Sequence, residues 1–136
     1  MNIPRAHSGI TFFYYSELSE AREFYEDVLG LEVVDDQGWA VIYNVNGSCF
    51  FGLVDEENGF CKAQESNAVL FTLVVENVEE WYRYLKKEDV RIESEPETKE
   101  DIGVKCFFLK DPAGYALEIQ EFTKPEKANL FEFPEQ

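Results

Sequence analysis

The chain has a single histidine, His7, so sites built on paired imidazoles or a Ser/His/Asp set are excluded. No nucleophile elbow or Gly-rich phosphate loop is present either. Its three cysteines, Cys49, Cys61 and Cys106, are odd in number, widely spaced and free of C-x-x-C. That spacing fits buried or idle thiols in a reducing compartment better than a disulfide frame or a zinc site. Cationic residues are scarce: 12 Lys and Arg face 28 Asp and Glu, for a net charge of −16. Nucleic acid and anionic membranes, which need a basic footprint, are therefore excluded as partners. There is no apolar run of membrane-spanning length and no charged-then-apolar leader, so a soluble, cytoplasmic protein is expected.

What is present is apolar and aromatic. Hydrophobic residues make up 45% of the 136 and aromatics 15%, enough for one domain with a substantial core. Ile10 to Ser16 reads as a strand. Ser19 stands at an N-cap position before an amphipathic helix, with Ala21, Phe24, Tyr25, Val28 and Leu29 at helical spacing and Gly30 closing it. Three strands follow, Leu31 to Val34, Trp39 to Val45 and Ser48 to Val54, with Asn46-Gly47 as a hairpin signal. Residues 56–67 are polar and turn-rich, a linker.

The order then recurs. Ala68 to Val75 is a strand, and Val78, Trp81, Tyr82 and Leu85 mark a helix. Val90 to Glu93, Val104 to Leu109 and Tyr115 to Glu121 are strands. The repeat predicts an internal duplication of a βαβββ unit: module one at 8–55, module two at 68–122, together one α+β domain over 1–122. An acidic tail, 123–136, contains Leu130, Phe131 and Phe133, which dock on the body or a partner subunit or hang loose.

Two motifs carry a resemblance. After the first strand, the run from Glu17 through Ser19-Glu20-Ala21-Arg22-Glu23-Phe24-Tyr25 to Gly30-Leu31 closely resembles the first-helix signature of the vicinal oxygen chelate superfamily. That superfamily includes glyoxalase I, bleomycin resistance proteins and extradiol dioxygenases. Asp111-Pro112-Ala113-Gly114-Tyr115-Ala116-Leu117-Glu118 is similar to its other hallmark, a D-P-x-G turn followed by a glutamate. The resemblance implies two βαβββ modules forming a cup-shaped mixed sheet, usually in a homodimer. In metal-dependent members four side chains, from the first and fourth strand of each module, hold a divalent cation. At the matching positions this chain has Ile10, Gly52, Leu70 and Glu118. Only Glu118 is of ligand type, so no metal or other cofactor is expected, and His7 lies on the wrong face to substitute.

By strand parity Ile10, Phe12, Tyr14, Leu70, Thr72, Val74, Ala116, Glu118 and Gln120 share the cup face. Phe12, Tyr14, Trp39, Thr72, Glu118 and Gln120 are the candidate ligand-binding residues, an aromatic wall with few polar atoms. Trp39 either stacks on a planar ligand or fills a barrel rim. Glu118, the best candidate for a catalytic group, is a vestigial metal ligand hydrogen-bonded to Tyr14 or Thr72, a partner for a cationic ligand, or a general base; Lys105 or Lys110 could instead satisfy it. The leading functional expectation is metal-independent binding or sequestration of a neutral or cationic small molecule, as in the bleomycin-resistance branch. The alternative is a metal-dependent lyase, isomerase or dioxygenase using Glu118 with non-standard ligands.

Overall fold

Aromatic and β-branched residues in alternation set the first sheet. In the computed structural model, which describes residues 2–131, strand β1 (Ile10–Tyr15) pairs in parallel with β4 (Cys49–Asp55). Strand β3 (Ala40–Asn46) runs antiparallel to β4, and β2 (Glu32–Asp36) antiparallel to β3, giving the order β1-β4-β3-β2. Phe13, Tyr15, Val41, Tyr43, Phe51 and Leu53 are buried on one face, as period-2 alternation requires. Against them packs helix α1 (Leu18–Glu23), continued by a π-helical turn at Phe24–Val28. Tyr25 is wholly buried there, its ring centroid 5.1 Å from that of Phe51, and Phe13 meets Phe51 edge-on at 4.9 Å.

Two local expectations are corrected. Ser19 does not cap the helix: Glu17 holds that position without a side-chain cap bond, and burial of Leu18 and Ala21 anchors the end instead. Strand β2 extends to Asp36, past the expected Val34, because a register shift between Val33 and Asp35 carries the pairing onward. Gly30 does end the helix, at φ +72°.

The second sheet repeats the plan. Strand β5 (Leu70–Val74) is parallel to β9 (Ala116–Phe122), and β8 (Val104–Lys110) is antiparallel to β9. On the outer side of β8 lie β6 (Arg91–Ile92) and β7 (Glu97–Lys99). Strand β7 is an addition to the expected order; its polar sequence, Glu-Thr-Lys, lacks the alternation that marks a half-buried strand. Helix α2 (Val78–Lys86) is capped twice: Asn77 Oδ1 accepts from the Glu80 N–H at 3.1 Å, and Glu121 Oε1 from the Val78 N–H at 3.0 Å. Val78 and Leu85 are buried, while Tyr82 reaches the Phe107 ring at 5.2 Å.

The Asp111-Pro112-Ala113-Gly114 turn joins β8 to β9. Fully buried Asp111 accepts through Oδ1 from the backbone N–H of Ala113 at 2.9 Å and of Tyr115 at 3.0 Å, while Gly114 adopts φ +94°. This carboxylate is part of the turn itself. The tail docks on its own unit through residue 131: α3 (Pro125–Ala128) leads to a short turn in which Phe131 stacks on Phe122, centroids 4.9 Å apart. Leu130 is exposed, and Phe133 lies outside the described residues. The chain divides into two compact units between Ala63 and Gln64, inside the expected linker. No helix among the described residues is long and apolar enough to cross a membrane.

Candidate functional site

The sheet face of the first unit opposite its helix carries Phe12 and Tyr14 from β1, Ala40 and Ile42 from β3, and Val54 from β4. These residues, with Gln37, Trp39, Asn58, Gly59 and Phe60 at the rim, line a pocket of about 230 Å³. Its floor depends on an unusual pairing. In the β1–β4 register Phe12 lies opposite Gly52, and a Cβ placed on Gly52 would sit 2.4 Å from Phe12 Cε1 and 2.5 Å from Cδ1. The ring thus occupies the space that a side chain at 52 would need.

Two turns bring the rim into place. Gly38 turns at φ +84°, its N–H donating to Asp36 Oδ1, so that Trp39 sits just ahead of β3, one residue before the strand begins, with its carbonyl accepting from the Asp55 N–H at 2.8 Å. After β4, the N–H groups of Asn58 and Gly59 both donate to the Asp55 carbonyl at 3.1 Å, and the Glu57 N–H to Asp55 Oδ1 at 2.9 Å. A Cβ on Gly59 would lie 2.5 Å from Val54 Cγ1 and 2.6 Å from Tyr14 Cε2, so only glycine lets this turn close on Tyr14. Sequence reasoning assigns residues 58–60 to the linker and misses Gln37, Asn58, Gly59 and Phe60. The Asn58-Gly59 dipeptide was the available signal of a tight turn there.

In the second unit the corresponding face carries Thr72, Glu118, Cys106, Phe108 and Gln120 by register. Glu118, 9% exposed, accepts a 2.8 Å hydrogen bond at Oε1 from the Thr72 hydroxyl. Cys106 is buried beside it. Burial pushes this thiol up to about 11, with help from its hydrogen bond to Glu118 and from that group's charge. Lys105, considered as a partner for Glu118, instead pairs with Glu79 of α2 at 2.7 Å. Lys99 lies over the Phe108 ring at 5.6 Å.

The structure therefore gathers Phe12, Tyr14 and Trp39 around one pocket and bonds Thr72 to Glu118 in the other unit. Gln120 lies on the latter face, opposite Val74 and Cys106. The two registers also match: Phe12 opposite Gly52 is the counterpart of Thr72 opposite Glu118, with Ile10 and Leu70 two residues earlier. Ile10 and Leu70 offer hydrocarbon, Gly52 has no side chain, and the Phe12 ring covers it, so these positions do not fit a divalent cation. His7 is exposed ahead of β1. No group of three or more His, Cys, Asp or Glu suited to a metal occurs among the described residues.

Comparison with known proteins returns one consistent grouping. The sequence profile of the Glyoxalase/Bleomycin resistance protein/Dioxygenase superfamily matches residues 8–119. Metallothiol transferase FosB of Staphylococcus haemolyticus is 23% identical over 128 residues, covering 90% of each chain, and FosB of Staphylococcus epidermidis is also 23% identical. Among solved structures, a glyoxalase/bleomycin resistance protein/dioxygenase from Nocardioides superposes with a TM-score of 0.72 at 15% identity, covering 99% of this chain and 91% of that one. Lactoylglutathione lyase from Agrobacterium tumefaciens gives a TM-score of 0.67 at 24% identity, covering 88% of this chain and 96% of that one.

Proposed function

The chain belongs to the Glyoxalase/Bleomycin resistance protein/Dioxygenase superfamily, and from that premise we propose that it binds or sequesters a neutral or cationic small molecule without a metal. The observation that carries this reading is the Phe12 ring lying over Gly52. At that place an aromatic surface replaces a coordinating side chain, and it forms the floor of a pocket walled by Tyr14, Trp39 and Ile42. Apolar walls with few polar atoms are the usual make-up of a small-molecule site. The superfamily's fold hosts many chemistries, so the residues rather than the fold decide. Glu118 acts in this reading as a hydrogen-bonded polar group of the second unit, tied to Thr72. In this reading the protein is cytoplasmic, which free thiols suit, and a homodimer, as the superfamily resemblance implies.

A second reading has one observation in its favour. Cys106 beside Glu118 places a thiol and a carboxylate together, and the curated relatives and one structural neighbour are by name a transferase and a lyase. Elemental analysis of protein purified without chelator separates the two. The expected result is sub-stoichiometric metal, unchanged by Glu118→Ala. Stoichiometric metal that disappears in Glu118→Ala would overturn the binding reading in favour of a metal-dependent enzyme.

A further inference from the structure

The pocket of the first unit is lined by four aromatic rings, Phe12, Tyr14, Trp39 and Phe60, and by the amides of Gln37 and Asn58. None of its lining residues is a lysine or arginine. Two of the cations flanking it along the chain are held by other groups, while Arg5 is exposed ahead of β1. Arg22 is held by Glu26 at 2.7 Å and Asp36 at 3.0 Å, and Lys62 donates to the Glu56 carbonyl at 2.7 Å. The two loops that carry the rim are acidic. Asp35 accepts from the Gln37 amide at 2.8 Å, Asp36 precedes Gln37, and Asp55-Glu56-Glu57 precede Asn58. At a net charge of −16 the whole molecule draws cations toward such a mouth.

Aromatic faces present negative charge to what lies over them and attract a cation there. An anion would meet the same faces, an acidic rim and no base among the lining residues. Resting on the binding reading above, we infer that this pocket takes a flat heteroaromatic cation, seated against Phe12 and Trp39 with its charge toward the Asp35 and Asp55 loops. The size agrees: about 230 Å³ is below the roughly 300–1,000 Å³ of drug-sized sites, so the ligand has one or two rings. Phe60, 99% exposed at the mouth, supplies apolar surface for the ligand to cover.

The experiment uses the full chain carrying Trp81→Phe, which leaves Trp39 as the lone tryptophan. N-methylquinolinium, neutral quinoline and anionic 2-naphthoate are titrated against Trp39 fluorescence at low salt and neutral pH. N-methylquinolinium is expected to quench saturably, with quinoline weaker by about fivefold or more and 2-naphthoate without saturable effect. Phe60→Ala is expected to weaken the cation by a similar factor while leaving the urea midpoint unchanged, since its ring is exposed. Quinoline binding as tightly as the cation would overturn the charge preference and leave the metal-free pocket standing. Tight 2-naphthoate binding, or no saturable quenching by the cation, would overturn the proposal outright. Metal found on Glu118 would overturn the binding reading alone.

Discussion

At the scale of single residues, two buried groups, Asp111 and Cys106, are held so closely that changing either has a defined effect. Asp111 accepts from two backbone N–H groups while fully buried. Asp111→Ala strands both donors and is expected to cost about 2–6 kcal/mol in urea unfolding, at about 1–3 kcal/mol per unsatisfied buried group. Asp111→Asn keeps the accepting oxygen and should recover part of the loss. Cys106 makes a pH prediction. Its folded value of about 11 stands above the ordinary 9.0, so its contribution is present below about pH 9 and is lost as pH rises toward 11. Cys106→Ser should flatten the stability profile over that window relative to the parent. For the same reason two thiols, exposed Cys49 and Cys61, should react with a disulfide reagent in the native state, and Cys106 only after unfolding. An equal rate at all three would contradict its burial.

At the scale of elements, most of the order was legible because period and punctuation agreed. The strands around Phe13 and Phe107 are rich in aromatic and β-branched residues, Asn46-Gly47 marks the β3–β4 turn and Pro112-Ala113-Gly114 the β8–β9 turn. Where local signals were weak or shared with distant residues, reading failed. Strand β7 is polar and is held by pairing with β8. The start of α2 depends on Glu121, forty-three residues away, which no local pattern announces. The rim residues 58–60 look like a linker because the contacts that define them, to Val54 and Tyr14, are tertiary. Of the six candidate binding residues, parity alone placed Phe12, Tyr14, Thr72, Glu118 and Gln120 on the faces they occupy; Cys106, read as a buried or idle thiol, bonds to Glu118 from a neighbouring strand. Asn77→Ala should cost about 1 kcal/mol by loss of its cap. The Arg22–Glu26–Tyr43 network ties α1 to β3, with Tyr43 donating to Glu26 at 2.8 Å. Tyr43 loses only one partly buried bond in Tyr43→Phe, for about 1 kcal/mol.

At the scale of the whole molecule, charge dominates. With 28 acidic residues against 12 basic ones, like charges repel across the surface and favour expansion. Raising ionic strength from about 0.01 to 0.1 M shortens the screening length from about 30 to 10 Å, so the melting temperature should rise over that range. A falling melting temperature would mean that the favourable pairs, such as Arg22–Asp36 and Lys105–Glu79, outweigh the repulsion. The same screening should weaken a cationic ligand, so salt is expected to move stability and binding in opposite directions.

The contact between Phe12 and Gly52 also constrains how this chain can change. In the second unit a small threonine faces the glutamate; in the first a large ring faces a glycine. Each pair is matched in size, so neither member can be exchanged freely. A carboxylate introduced at 52 while Phe12 is in place collides with the ring. Exchanging Phe12 for a residue the size of threonine first opens the space. Any route to a coordinating first unit therefore has an obligatory order of steps. Its opening step dismantles the floor of the pocket before the next can confer anything, a ratchet set by one ring over one glycine.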